Sequence, residues 1–353
     1  MPIDSLEDLR AHVALARQVE MSTIPPYLYA AYSIRGESSD ARSLIVSVVV
    51  EEMLHLALTT NLLLALGGEP DFGDDLVPDY PSLLAHHTPD LRLELKRCTP
   101  EVITDMFMVI ERPEAADAPP EADDYETLGQ FYAALELAIH DLSGQMDLFA
   151  DHRPDRQLAD PSVSGPVAFD AADSGGLMLI DDVDSACQAI DVIVDQGEGL
   201  GDHLWADPAH QELTHYHKFA QIADGTMPIG ETWPVMDNPK VADLPGEVRP
   251  VADLFNALYM LVFDTMRRMY APDADQGALV GRLYTLMSHG LAPVARHLVS
   301  LPVGDGLNAG PTFERYAFTR DPVTEAMALA ESVAAEHPAL APVVEALRPA
   351  LAG

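Results

Sequence analysis

Cysteine and positive charge are both scarce in this chain. Two cysteines in 353 residues, Cys98 and Cys187, cannot build a disulfide framework, and they form no Cys-x-x-Cys pair. A reducing compartment is therefore expected, and the cytoplasm is the expected location. Only 20 Lys and Arg stand against 57 Asp and Glu, a formal net charge of −37. Such a field repels phosphate backbones and anionic lipid, so neither nucleic acid nor membrane is expected as a partner, whereas cations and small molecules are. The first ten residues are acidic where an export signal would need a basic patch and an apolar run. A long uncharged run is also missing. Residues 44–66 lack Lys and Arg but carry Glu51, Glu52 and His55 near their middle, which suits a buried helix better than a membrane span.

Strict apolar–polar alternation is rare as well, which excludes a sheet-based fold and leaves helical spacing as the main pattern. The expected class is all-α. One helix should run from about residue 5 to 34, opened by Ser5 with Asp8 three residues on, and a second from 41 to 66, stopped by Gly67-Gly68 and Pro70. A long crossover follows, with a short helix over about 100–110. Two further long helices are expected over about 125–150 and 184–198, the last one broken and resumed over about 208–223. Two antiparallel pairs joined by a long crossover make a four-helix bundle whose core can hold metal ligands. The expected organisation is a bundle over 1–225, a Pro-rich linker over 226–250 and a C-terminal helical region over 251–353. That last region should hold helices near 251–271 and 278–301, and a final one ending near 336.

The second helix contains VVVEEMLHLAL, which places Glu52 and His55 on adjoining parts of one face among apolar residues. A carboxylate there needs a counter-charge, and that helix segment offers no Lys or Arg; a metal ion would serve. A second Glu-x-x-His, Glu212 to His215, lies in the continuation of the fourth helix. Glu20 in the first helix and Glu136 in the third are single acids at mid-helix. Hairpin spacing brings Glu20 level with Glu52, and Glu136 level with Glu198. The expected metal ligands are thus Glu20, Glu52, His55, Glu136, Glu198 and His215, with Glu212 as the alternative to Glu198. Simpler roles stay open: Glu20 pairing with Arg17, Glu136 with His140, Glu198 capping a Gly-rich turn, or all of them forming ordinary buried hydrogen bonds. Oxygen and nitrogen ligands without thiolate suit two iron ions, or manganese or a mixed iron–manganese pair. Tyr27, Tyr29, Tyr32, Met53 and Met108 are candidates to line the pocket or simply to fill the core.

The spacing of Glu20 and EEMLHL, the MVIERPE segment (residues 108–114), LGQFYAAL, the DQGEG and HYHKF runs and AGPTFE (residues 309–314) resemble the ferritin-like family that includes the ferritin-like portion of VioB, the iminophenyl-pyruvate dimer synthase of bis-indole pathways. The resemblance extends over about residues 5–318. It implies a ferritin-like four-helix core, a di-iron-type site at the six positions above and an oxidative biosynthetic setting. The expected function is a di-iron carboxylate oxidase or oxygenase using O2 on a small, amino-acid-derived metabolite; the alternative is a ferroxidase or iron-handling protein with no organic substrate. The synthase is much longer than this chain, so imine dimerisation is not among the expectations. A homo-oligomer is compatible with this reading.

Overall fold

A computed structural model of the chain describes residues 3–36, 39–73, 75–115, 117–160, 176–197 and 213–352. It is built of helices with two small hairpins, β1–β2 (Ser82–Leu83 with Arg92–Leu93) and β3–β4 (Pro302–Gly304 with Leu307–Asn308). Both hairpins are antiparallel, pairing Ser82 with Leu93 and Pro302 with Asn308.

Helix α1 (Leu6–Ser33) starts where the Ser5 hydroxyl accepts the Asp8 N–H at 3.1 Å, and Glu7 and Asp8 lie in its first turn, where acids complement the helix dipole. It continues through Pro25 and Pro26. After a short turn, α2 (Asp40–Ala65) is capped by Ser39 and packs along α1. It stops as its glycines direct: Gly67 takes a φ of +71° and the Gly68 N–H donates back to the Leu63 carbonyl at 2.8 Å. By length and composition α2 could cross a membrane, yet its inward faces carry the bundle core, with Ile45, Val48, Leu58 and Leu64 fully buried.

Residues 100–110 form α3, capped by Thr99 with Pro100 in its first turn, and its middle (Ile103–Phe107) is π-helical. Such wide turns recur beside functional sites because they re-aim the side chains that follow. Helices α4 (Leu128–Ser143) and α5 (Val183–Gly197) pack on each other, with α4 against α1 and α5 against α2. That closes the bundle. Helix α6 (His215–Ala223), capped by Thr214, lies across α2 and the π-helical part of α3.

The Pro-rich stretch that follows is laid along the end of α1. The Trp233 N–H donates to the Ser33 carbonyl at 2.7 Å, and the Arg35 guanidinium sits 4.0 Å over the Trp233 ring. Further on, α7 (Arg249–Met269) supplies a fully buried face of Leu254, Phe255, Leu258 and Leu261. It packs against α8 (residues 276–298, π-helical over Leu286–Leu291) and α9 (Pro322–Glu336). A last helix, α10 (Ala341–Leu351), lies beyond the point where the sequence pattern ends the final helix. The segment after β4 returns to α1: Gly310 lies so close to the Tyr29 ring that a Cβ there would sit 2.2 Å from the hydroxyl oxygen and 2.6 Å from Cζ. No other residue fits that contact without displacing Tyr29.

Candidate metal centre

Three helices and the residue closing α3 bring acids and imidazoles to one buried point. Glu20 from α1, Glu52 and His55 from α2, Glu111 directly after α3 and His215 at the start of α6 are all buried. Their ligand atoms form two groups. Glu20, Glu52 and His55 each offer an atom within 4.8 Å of the others, and so do Glu52, Glu111 and His215. Glu52 is common to both.

Within the first group, His55 Nδ1 faces Glu20 Oε2 at 3.4 Å. Within the second, His215 Nδ1 faces Glu52 Oε1 at 3.0 Å and Glu111 Oε2 at 3.4 Å. The two imidazoles stack, ring centres 5.4 Å apart. His215 Nδ1 is fully buried and, despite those short approaches, has no hydrogen bond of acceptable geometry among the described residues. Nitrogen and oxygen ligands about 2.0–2.2 Å from one ion, at right angles, lie about 3 Å from each other. The 3.0 and 3.4 Å separations therefore suit a shared cation, and the unbonded nitrogen is what such an ion would use.

Surrounding groups fix these side chains. The Nε2 of His55 is 2.9 Å from Gln196 Oε1 on α5, and the Nε2 of His215 is 2.8 Å from Glu51 Oε2. Each imidazole thus has an acceptor for an Nε2–H, leaving Nδ1 as the metal-facing nitrogen. Glu51 is in turn held by Lys218 Nζ at 2.6 and 2.7 Å. The Thr23 hydroxyl reaches Glu52 Oε2 at 2.8 Å, the Tyr132 hydroxyl donates to Glu20, and the Tyr27 hydroxyl donates to Glu111.

The electrostatics show an unbalanced site. Burial, and then the Glu111 carboxylate, push the Glu52 carboxyl up to about 7, against the pull of His215. Burial would also raise Glu20, but His55 and the Tyr132 hydroxyl outweigh it and hold Glu20 below the ordinary range. Burial opposes charge on His215, yet Glu111, Glu51 and Glu52 together raise it well above the usual imidazole value. Burial, and then Glu111 for Tyr27 and Glu20 for Tyr132, raise both phenols far above their normal range, so they remain hydrogen donors. Acids crowded this way call for cations in place of protons.

Glu20, Glu52, Glu111, His55 and Tyr132 line a cavity of about 20 Å³, walled by Leu128, Gly129, Ile193, Val194 and Gly197. Roughly 10–15 Å³ admits one water, so its scale is that of ions and small oxygen species.

Of the residues expected as ligands, Glu20, Glu52, His55 and His215 come together here, and Glu20 is not turned to Arg17. That guanidinium bonds Thr60 Oγ1 and the Asp71 carbonyl, each at 2.9 Å, and lies over Phe72. Glu136 is not brought to the cluster: its side chain is 38% exposed and faces His140 at 4.0 Å. The reason is the direction of α4, whose buried stripe runs through Phe131, Leu135, Ala138 and Leu142 and delivers Tyr132 inward instead. Glu198 and its alternative Glu212 lie outside the described residues. Glu111 was not among the expected ligands. Its signal was the MVIERPE segment, where an apolar run leads directly into an acid. Tyr29 donates to the Met236 carbonyl and serves the core.

Helical pairs closed around a buried carboxylate–imidazole cluster define the class of metal-site bundles. A ferritin-like family model matches residues 13–224, and the chain belongs to the ferritin-like family. A crystal structure of a ferritin-like protein from Caulobacter vibrioides has the same fold, with a TM-score of 0.65 and 23% identity, covering 90% of this chain and 100% of that one. Two curated relatives are similar over most of the chain. One is the dichlorochromopyrrolate synthase of Lentzea aerocolonigenes, 27% identical over 89% of this chain and 36% of its own length. The other is the 2-imino-3-(indol-3-yl)propanoate dimerase of Chromobacterium violaceum, 26% identical over 88% of this chain and 34% of its own length. This chain therefore spans about a third of each. Both relatives are enzymes that modify small metabolites.

Proposed function

We propose that this protein is a di-iron carboxylate oxidase or oxygenase acting on a small, amino-acid-derived metabolite. The observation that carries the reading is the pair of three-residue ligand groups sharing Glu52, closed off from solvent beside a cavity of oxygen-species size. The relatives' names, a synthase and an imine dimerase of indole-derived molecules, support the substrate class.

Two iron ions bound here would supply redox capacity toward dioxygen and Lewis acidity toward bound oxygen atoms. The protein's part is positional. Glu20 and His55 would hold one ion and Glu111 and His215 the other, with Glu52, common to both groups, available to each. Gln196 and Glu51 fix the two imidazoles with Nδ1 inward. The Tyr132 and Thr23 hydroxyls donate to Glu20 and Glu52 and so restrict how those two carboxylates can turn; an ion bound here would meet them already oriented. Leu128, Ile193 and Val194 give the cavity an apolar wall beside the ligands.

The test is anaerobic Fe(II) titration followed by exposure to O2, with and without indole-derived imino or amino acids. Close to two iron per chain, oxygen consumption and oxidised organic product are expected. Iron oxidation with every candidate metabolite left unchanged would favour the ferroxidase alternative, and absence of tight iron would overturn both.

A further inference from the structure

The residue that α4 turns away from the buried centre belongs to a different cluster. Glu136 and His140 occupy successive turns of α4, and Cys187 faces them from α5. A carboxylate oxygen, an imidazole nitrogen and the thiol sulfur of these three all lie within 4.8 Å of one another. Cys187 Sγ is 3.6 Å from His140 Nε2, and that nitrogen is 4.0 Å from Glu136 Oε1. With zinc–sulfur and zinc–nitrogen bonds of about 2.3 and 2.0–2.1 Å, tetrahedral coordination puts the two donors about 3.5 Å apart. The sulfur–nitrogen pair already stands at that spacing. His140 and Glu136 are partly open to solvent, so an ion can enter without unfolding the helix pair.

We propose that Glu136, His140 and Cys187 form a second metal site, on the seam between α4 and α5, selective for zinc or a similarly thiophilic divalent ion. Three protein ligands leave a fourth position for water. Glu136, Asp191 and Asp184 place negative charge beside Cys187, which favours a divalent cation there. The donor set separates this site from the buried one. Thiolate favours zinc and its soft neighbours, whereas the buried oxygen–nitrogen cluster favours iron or manganese. An ion here would clamp α4 to α5, the helices that carry Tyr132 and Gln196 to the buried centre. The site does not depend on the buried centre holding iron.

Cobalt(II) gives a direct readout, because thiolate ligation produces a near-ultraviolet sulfur-to-cobalt charge-transfer band that oxygen and nitrogen ligands do not. Titration of the reduced full chain with Co(II) should give this band, saturating at the intensity of one thiolate-bound cobalt per chain, and added zinc should erase it. Cys187→Ser should abolish the band, and His140→Ala should weaken cobalt affinity at least tenfold, with helicity by circular dichroism unchanged in both. Cys98→Ser should keep the band, since Cys98 is buried elsewhere. Absence of a band in wild-type protein, or its survival in Cys187→Ser, would overturn the proposal. Failure of the buried centre to take iron would leave the cobalt result unaffected.

Discussion

Because Glu52 belongs to both ligand groups while Glu111 belongs to one, the two substitutions should have unequal consequences. Glu52→Ala should remove both ions, and Glu111→Ala only one. The size of the effect follows from linkage. A ligand at 100 times its dissociation constant stabilises the native state by about 2.7 kcal/mol, so two filled sites contribute about 5.4 kcal/mol. Unfolding entropy near 2.1 cal/mol/K per residue amounts to about 0.7 kcal/mol/K for a chain of this length, so each kcal/mol moves the melting temperature by roughly 1.3 °C. Anaerobic Fe(II) at that excess should therefore raise Tm by about 7 °C in the wild type, about 4 °C in Glu111→Ala and not at all in Glu52→Ala. The assay is thermal unfolding by circular dichroism with and without metal, each variant compared with its own metal-free form, alongside elemental analysis after desalting. A bound ion retained in Glu52→Ala, or two retained in Glu111→Ala, would refute the shared-carboxylate arrangement.

Other expectations follow from neighbouring features. Gln196→Leu removes the acceptor that fixes His55, and should weaken iron affinity by about 10–100-fold with helicity retained; unchanged affinity in a titration would show that Gln196 has no orienting role. Gly310→Ala drives a methyl into the Tyr29 ring and should cost about 1–3 kcal/mol in denaturant unfolding; an unchanged midpoint would show that the contact yields freely. In the C-terminal helices, His297 Nε2 and His337 Nδ1 are 2.9 Å apart, and burial followed by His337 holds His297 below its ordinary 6.5. A depressed value means the unfolded chain binds the proton more readily, so this pair's stability is complete above pH 6.5 and is lost as the pH falls through the folded-state value of His297. His297→Gln should flatten the fall in Tm between neutral pH and the acid range, and parallel slopes for variant and wild type would contradict this.

Much of the bundle was legible because its helices are punctuated chemically. Ser5, the Gly67-Gly68 pair and Pro100 sit at helix ends where backbone groups need them, and apolar spacing did the rest. Glu52 and His55 were legible for a related reason: a charged residue inside an uninterrupted apolar helix has to be compensated. Glu136 shows the limit of that argument. Helix α4 is apolar nearly all round, with Leu137 exposed, so composition says that it packs but not which face is inward. Glu111 shows the converse. Its neighbours Arg112, Pro113 and Glu114 read as surface loop, and it is tertiary packing around the end of α3, with Tyr27 of α1, His215 of α6 and Gly197 of α5 against its carboxylate, that buries it. His215 was expected in the resumed part of a broken fourth helix, and the packing of α6 on α2 and α3 aims its Nδ1 at Glu52 and Glu111. Helix α10 escaped notice because Pro342 and Pro349 bracket a stretch too short to establish a period.

On the proposed reading, Glu52 serves two iron ions at once, and Mössbauer spectroscopy of protein loaded anaerobically with two equivalents of ⁵⁷Fe(II) and then oxidised tests that claim. Bridged ions should oxidise to a spin-coupled ferric pair with a diamagnetic ground state that accounts for nearly all the iron. Isolated high-spin ferric ions, or uptake that stops at one iron per chain, would contradict the claim.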